Sequence, residues 1–116
     1  MNATYHRIIS EAELSERGVH GTIVNGWPVA VARGTDGYHA FVDKCTHASS
    51  RLSTGRTVRA MIQCPLHGAR FTMATGACVG ANHPPLLTFA HRLVDGWIEV
   101  AVPDAPPGVE HQPAQR

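Results

Sequence analysis

The sequence predicts an all-β fold, an antiparallel β sandwich or barrel that carries one short helix. Two dipeptides, Asn25-Gly26 and Asp95-Gly96, each lie between strand-like runs as hairpin turns do, and Asn-Gly readily supplies the two positive-φ positions of a type I′ turn. Branched apolar residues recur at every second position at Ile98, Val100 and Val102, which is the pattern of a half-buried strand. Short strands separated by such turns are typical of antiparallel sandwiches and barrels.

The predicted elements follow one another with little chain between them. Ser10 and Glu13 have the S-x-x-E spacing of a capping box, so a helix begins there, and Gly18 keeps it short. The predicted strands cover residues 5–9, 20–24, 27–33, 38–42, 87–94 and 97–102. Most of the predicted sheet therefore comes from the two ends of the chain.

Composition and charge restrict the classes of function. The chain has 116 residues, 43% hydrophobic and 16% charged, so we expect one folded domain rather than a disordered or fibrous chain. A net charge of +1 without a basic stripe argues against nucleic-acid binding. The apolar runs are short and no export signal is present, so we expect no membrane span. An odd number of cysteines, three, does not suit a disulfide framework and favours a reducing cytoplasm.

The segment 43–86 differs from the hairpins around it. It contains all three cysteines and a pair of prolines, with only brief strand-like pieces at 57–59, 60–63 and 70–72. Long loops inside a compact domain usually have a function, and a bound metal can supply order that an apolar core does not. After residue 103, proline and polar residues predominate. We therefore expect one domain over 1–103 and a flexible tail over 104–116.

Two short motifs in this segment carry the candidate chemistry, Cys45-Thr46-His47 and Cys64-Pro65-Leu66-His67-Gly68. Each presents one thiol and one imidazole on a tight loop. Thiolates and imidazoles together suit zinc, copper or an iron–sulfur cluster, whereas calcium and magnesium prefer oxygen ligands. A structural Cys₂His₂ zinc site is the main competitor, although zinc fingers usually pair cysteine with cysteine and histidine with histidine.

The two motifs resemble the signature of Rieske-type [2Fe–2S] proteins, and the resemblance extends over most of the chain. It implies a Rieske-like sandwich or barrel with an inserted cluster-binding subdomain at about 43–86. It also implies one [2Fe–2S] cluster per chain, with two cysteines on an inner iron and two histidines on an outer iron. The residues matched to these positions are Cys45 and Cys64 for the inner iron and His47 and His67 for the outer iron.

The mixed ligand set has an electrostatic consequence. Two ferric ions, two sulfides and two thiolates sum to zero charge, whereas four thiolates would leave the oxidised cluster at −2. An electron is added more easily to a neutral centre than to an anion. This charge difference raises the reduction potential above that of four-cysteine clusters.

Four positions depart from the high-potential Rieske proteins of respiration and photosynthesis. Ser50 and Leu66 stand where those proteins have two cysteines joined as a disulfide. Ala69 and Phe71 stand where they have serine and tyrosine hydroxyl donors. Without those donors the reduced state is less stabilised, so we expect a potential at the low end, on the order of −150 mV. The resemblance is therefore to soluble Rieske ferredoxins.

A ferredoxin of this kind implies an electron carrier and not an enzyme. The family implies a flavoprotein ferredoxin reductase, fed by NADH or NADPH, as the electron donor. It implies a terminal aromatic-ring-hydroxylating oxygenase as the acceptor, in the cytoplasm and without a nucleic-acid or membrane partner. Two alternatives stay open: the small Rieske subunit of a nitrite-reductase-like assembly, and the structural Cys₂His₂ zinc module.

The two motif histidines are expected at an exposed tip, with the motif cysteines buried beneath them. The expected ring around this tip consists of Ala48, Pro65, Leu66, His83 and Pro84. We expect His83 either to cover the cluster or to meet a partner. Cys78 lies outside both motifs and is expected to be an inert, partly buried thiol.

Overall fold

The computed structural model describes residues 2–47 and 50–114, with the side chains of all of these except residues 15–17. Its strands are β1 (Ala3–Ser10), β2 (Val19–Val24), β3 (Trp27–Gly34), β4 (Gly37–Val42), β5 (Arg56–Val58), β6 (Met61–Gln63), β7 (Arg70–Thr72), β8 (Cys78–Val79), β9 (His91–Val94) and β10 (Trp97–Pro103). One α-helix, α1 (Glu11–Arg17), follows β1, and short 3₁₀ turns lie at Leu52–Thr54 and Val109–His111. The predicted all-β class with one short helix is confirmed.

The strands form three antiparallel sheets. Two of them have three strands each, in the orders β1-β10-β9 and β2-β3-β4. The third has four short strands in the order β5-β6-β7-β8. It follows the first motif, contains the second motif between β6 and β7, and ends before the loop over residues 80–86, which contains Pro84 and Pro85 and is called the proline loop below. The first two sheets are built from the ends of the chain, and the third is the inserted subdomain.

β3 is buried along most of its length because it packs on both faces. Side chains alternate across a strand, so Val29 and Val31 face one side and Ala30 and Ala32 face the other. The first pair belongs to a core shared with the β1-β10-β9 sheet. The second pair belongs to a separate core shared with the four-stranded sheet. β3 therefore joins the body of the domain to the inserted subdomain.

The second core contains the two motif cysteines. Cys45 and Cys64 are 3% and 1% exposed and pack in the same apolar cluster as the small alanines of β3. The large side chains of this core are Phe41, Leu52, Ile62, Phe71, Met73 and Leu86. The thiols thus lie at an apolar layer between β3 and the inserted sheet, and not at the surface.

The turn and cap chemistry agrees with the sequence-based expectation. Asn25 and Gly26 have φ values of 53° and 81°, and Asp95 and Gly96 have 51° and 78°. Both pairs therefore occupy the left-handed region that a type I′ turn requires. At the start of α1, the Ser10 hydroxyl accepts a hydrogen bond from the Glu13 backbone N–H at 3.3 Å. The predicted hairpins and the helix cap at Ser10 are confirmed, and the Glu13 carboxylate accepts a hydrogen bond from the Ser10 hydroxyl at 3.3 Å.

The predicted strand over 87–94 is too long at its N-terminal end. His91–Val94 pairs with β10, and the Ala101 N–H of β10 donates to the Ala90 carbonyl oxygen, whereas residues 87–89 pair with β4. The Val42 N–H donates to the Leu87 carbonyl oxygen at 2.9 Å, and the Phe89 N–H donates to the Ala40 carbonyl oxygen at 2.9 Å. The apolar pattern is continuous, but the chain changes partner sheet in the middle of it.

The described part of the C-terminal segment packs on the body of the domain, which differs from a free tail. The Trp27 indole N–H donates to the Ala105 carbonyl oxygen at 2.8 Å. Further along, the His111 ring stacks on the Trp27 ring with centroids 5.6 Å apart. The Trp27 side chain therefore contacts the C-terminal segment at two points. The amino-acid composition of that segment does not indicate these contacts. The boundaries 1–103 and 104–116 stay a prediction.

Two glycines allow a test of how tightly the proline loop packs. Gly76 and Gly80 have nearly equal φ values, 82° and 80°, but a Cβ on Gly76 would press on the Leu86 backbone, whereas one on Gly80 meets nothing within 4 Å. We expect Gly80→Ala to lower the free energy of unfolding by about 1–2 kcal/mol through left-handed strain alone. Gly76→Ala should lower it by a further 1–3 kcal/mol or so, because the backbone must shift. Urea unfolding followed by circular dichroism measures both, and equal losses would contradict the close packing of this loop.

Candidate metal centre

The two motifs lie on loops that backbone hydrogen bonds close. In the first loop, the Cys45 N–H donates to the Ser50 carbonyl oxygen at 2.9 Å. In the second, the Cys64 N–H donates to the Ala69 carbonyl oxygen at 2.7 Å. The first loop follows β4, and the second connects β6 to β7. Each loop begins with its cysteine at the end of a strand or just beyond it and then turns outward.

Backbone conformation explains why the second motif ends in glycine. His67 and Gly68 both have positive φ, 63° and 70°. Two successive left-handed residues reverse the chain in a short distance, and glycine adopts this conformation without steric cost. The turn brings His67 to the surface while Cys64 stays buried. The geometry of this turn therefore explains the spacing between Cys64, His67 and Gly68 in the second motif.

The four motif side chains form two layers. Cys45 and Cys64 lie in the second core, whereas His47 and His67 are exposed. The two imidazole rings are neighbours, with centroids 5.4 Å apart at an angle of 68°. Within residues 2–47 and 50–114, no group of three or more His, Cys, Asp and Glu side chains is arranged around a single ion. The arrangement is a buried sulfur pair below an exposed nitrogen pair.

The electrostatics of the sulfur pair favour a cationic guest. Burial raises the pKa of the Cys64 thiol to about 11, and the neighbouring Cys45 side chain acts in the same direction. The Leu66 backbone N–H and the Ser50 hydroxyl oppose this shift. Metal ligation needs the thiolate, and two adjacent thiolates in an apolar core need positive charge beside them. A pair of iron ions supplies that charge, so the residues fit a [2Fe–2S] cluster.

Of the five residues expected around the tip, the structure describes four. Pro65 and Pro84 are exposed, and Leu66 and His83 are half-buried. Ala48 lies outside the described residues. The His83 ring stacks on the His47 ring, with centroids 4.1 Å apart at an angle of 25°. The proline loop therefore reaches the first motif directly.

A cavity opens beside the first loop and adds the C-terminal segment to the site. It has a volume of about 420 Å³ and mostly apolar walls, which include Pro84 and Leu87. Its lining also includes His47 of the first motif and His111 of the C-terminal segment. The segment that packs on Trp27 thus borders the candidate metal centre.

Ser50 has a role that the sequence did not indicate. The residue is 4% exposed, and its hydroxyl lies against the Cys64 thiol, where it favours the charged sulfur. The sequence alone indicates only that a serine at position 50 cannot form a disulfide. A serine five residues after Cys45 carries no spacing signal for this contact, because the two loops meet only in the folded chain.

Asp43 anchors the base of the first loop. Its carboxylate accepts hydrogen bonds from the Ser53 N–H at 2.7 Å and from the Ser53 hydroxyl at 2.5 Å. The side chain is buried, and burial raises the pKa of this carboxyl above its usual value. Gly21 packs so closely here that a Cβ would meet both the Asp43 carboxylate and the Ser53 side chain. The sequence analysis did not single out this contact.

The comparisons with known proteins agree with this geometry. The sequence profile of one family, described as Rieske [2Fe-2S] domain, matches residues 4–90. The anthranilate 1,2-dioxygenase ferredoxin subunit of Burkholderia cepacia is 32% identical over 102 residues, which cover 86% of this chain and 94% of that protein.

Two solved structures have the same fold. The ferredoxin of carbazole 1,9a-dioxygenase from Nocardioides aromaticivorans IC177 is 26% identical with a TM-score of 0.75, covering 92% of this chain and all of that one. A chain in the complex of reduced oxygenase and oxidized ferredoxin in carbazole 1,9a-dioxygenase is 28% identical with a TM-score of 0.75. That match covers 83% of this chain and 100% of the other. In the described part of this chain, no helix has the length and apolar character needed to cross a membrane.

The Asp43 contact leads to a prediction with a matched pair of variants. Asp43→Asn keeps an acceptor for the Ser53 N–H and carries no charge to bury, so we expect a free energy of unfolding close to that of the wild type. Asp43→Ala leaves the part-buried Ser53 N–H without its acceptor and should cost about 1–3 kcal/mol. Urea unfolding at neutral pH compares the two. An alanine variant as stable as the asparagine variant would show that this contact does not anchor the loop.

Proposed function

Because the chain belongs to the Rieske [2Fe-2S] family, we propose that it carries single electrons from an NAD(P)H-dependent flavoprotein reductase to a terminal aromatic-ring-hydroxylating oxygenase. The observation that carries this proposal is the layered site, with thiols in the core and imidazoles at the surface. This layering suits a redox centre that is shielded on one side and accessible on the other.

In this proposal each chain holds one cluster through the four motif residues. Cys45 and Cys64 bind the inner iron, and His47 and His67 bind the outer iron. When bound, the cluster supplies reversible one-electron chemistry at a centre that is neutral in its oxidised form. The burial of both cysteines excludes water from the sulfur ligands. The exposure of both histidines leaves the outer edge accessible to a partner.

The surface around the tip suits brief encounters. Its described members are small and largely apolar: Pro65, Leu66 and Pro84 beside the histidines. An electron-transfer complex needs close approach and fast release, and such complexes bury comparatively little surface. A compact and largely apolar surface beside the histidines meets both needs.

The relatives support the acceptor. The Burkholderia cepacia protein is a ferredoxin subunit of anthranilate 1,2-dioxygenase, and one structural neighbour comes from a complex of an oxygenase with a ferredoxin. Ferredoxin subunits carry electrons and do not themselves catalyse bond formation, and this chain has the same role. The acceptor we propose is accordingly an oxygenase of that class.

Redox chemistry supports the donor and the compartment. NADH and NADPH deliver hydride, a two-electron unit, whereas the cluster accepts one electron. A flavin can accept the hydride and release electrons singly, so a flavoprotein is the suitable intermediate. The three cysteines are free thiols, which agrees with a reducing compartment, and we propose the cytoplasm.

Metal and sulfide analysis tests the cofactor, with a matched cysteine control. We expect red-brown protein with two iron and two acid-labile sulfide per chain and with nitrogen coordination in pulsed EPR of the reduced form. Cys64→Ala should lose the cluster, whereas Cys78→Ala should keep it, because Cys78 is a half-buried thiol outside both motifs. Colourless wild-type protein with one zinc per chain would refute the proposal in favour of a zinc module.

Ligand exchange tests the charge argument. In His47→Cys or His67→Cys, a cluster that still assembles gains one thiolate charge. We expect its reduction potential to fall by an amount on the order of 100 mV, towards that of four-cysteine clusters. Redox titration monitored by visible absorbance measures the shift at equal iron content. An unchanged potential in an assembled variant would contradict the assignment of that histidine as a ligand.

Electron transfer itself is tested with defined partners. Reduced protein should be oxidised by a Rieske-type aromatic-ring-hydroxylating oxygenase, and the oxidised protein should be reduced by a flavoprotein ferredoxin reductase with NADH or NADPH. Stopped-flow absorbance follows both steps. Rapid exchange with a nitrite reductase catalytic subunit, together with none with such oxygenases, would favour the nitrite-reductase alternative.

A further inference from the structure

The proline loop places a third imidazole against the candidate metal centre. The His83 ring lies nearly parallel to the His47 ring, with centroids 4.1 Å apart at an angle of 25°. His83 belongs to neither Cys/His motif. The contact joins residues 36 positions apart in the chain, so it depends on how the proline loop is held.

A hydrogen bond next to both residues holds the loop in place. The Thr46 hydroxyl donates to the Pro84 carbonyl oxygen at 2.5 Å. Thr46 immediately precedes His47, and Pro84 immediately follows His83. The bond therefore ties together the two backbones that carry the stacked rings, and it fixes the ring of His83 over the ring of His47.

We propose that His83 is a positioning residue that holds the ring plane of His47 and covers one face of that ring. The inference rests on the proposed function, because it takes His47 as an iron ligand. Metal ligation through one nitrogen leaves an imidazole free to rotate about the bond to the metal. Stacking on a second ring restricts that rotation and shields the ligand from solvent on the stacked side.

The geometry favours positioning over direct ligation by His83. Nitrogen lone pairs lie in the plane of an imidazole ring. In two stacked rings inclined by only 25°, with centroids 4.1 Å apart, the lone pairs lie in two nearly parallel planes, one above the other, which does not favour their convergence on one ion. His67, by contrast, meets His47 at 68°, an arrangement in which in-plane lone pairs can converge. His83 therefore supports His47 and does not replace it.

His47 needs this support more than His67 does. The backbone of His67 is constrained by the left-handed turn at residues 67 and 68, and that turn is closed by the bond from Cys64 to Ala69. His47 is exposed, and the ring contacts that the structure shows for it are with His67 and His83. A face-to-face contact with His83 is thus the one that fixes its ring plane.

The test compares two replacements of His83 in cluster-loaded protein. His83→Ala removes the stack, and His83→Phe keeps an aromatic face but has no ring nitrogen. We expect His83→Ala to increase the rate of cluster bleaching by the iron chelator bathophenanthroline disulfonate about two- to tenfold, the range that the loss of an aromatic pair implies. Pulsed EPR of the reduced protein should show a broader spread of nitrogen couplings from one histidine ligand. His83→Phe should restore both properties.

Two further variants separate the stack from general effects. Thr46→Val removes the hydroxyl at nearly constant shape and should shift both readouts in the same direction as His83→Ala. His91→Ala is the control. It replaces an exposed histidine on β9, which belongs to the β1-β10-β9 sheet outside the inserted subdomain, and it should behave as the wild type.

The outcomes distinguish this inference from the proposed function. Wild-type protein without nitrogen-coordinated iron would overturn the proposed function and the inference with it. If the wild type holds the cluster and His83→Ala has wild-type bleaching and couplings, only the inference is overturned. It is also overturned if His83→Phe is as impaired as His83→Ala, because a ring nitrogen and not the stack would then carry the effect.

Discussion

Two thiols lie side by side in an apolar layer, and the rest of the candidate site is arranged around them. Cys45 and Cys64 are nineteen residues apart in the sequence and come from different loops, yet both pack in the core between β3 and the inserted sheet. Burial raises the pKa of Cys64, so the thiolate form there depends on added positive charge. Both sulfurs can be held as thiolates in this layer only when a cation neutralises them, which links metal binding to the order of both loops.

β3 connects this layer to the rest of the protein. Its alanines leave room on the subdomain side, whereas its valines fill the core of the body. Short ties at the edge then hold the loops: Asp43 to Ser53 at the base of the first loop, and Thr46 to the proline loop at its tip. A motif on loops thereby acquires the rigidity that a redox centre requires, because its supports are on strands and on hydrogen-bonded turns.

The surroundings of the sulfur pair also determine how the centre is tuned. Phe71 is fully buried in the second core at a position where high-potential Rieske proteins have a hydroxyl donor. That phenyl ring contributes packing and no hydrogen bond. Ser50 occupies the position of a disulfide cysteine in those proteins, and its hydroxyl lies against Cys64 instead. At these two positions a hydroxyl donor is therefore absent at Phe71 and present at Ser50, and a hydroxyl donor stabilises charged sulfur.

The sequence by itself determined the features that depend on neighbouring residues: the two type I′ turns, the capped helix after Ser10, and the two Cys/His motifs with the turn at Gly68. Local backbone preferences and ligand spacing act within a few residues, so they can be inferred from the chain alone. The tertiary structure decided which sheet residues 87–89 join, how the C-terminal segment meets Trp27, and that His83 stacks on His47. These contacts join residues that are far apart in the sequence. No short sequence pattern around either partner indicates them, because the contact forms only when the whole chain folds. Burial of sulfur beneath exposed nitrogen depends in the same way on the whole fold.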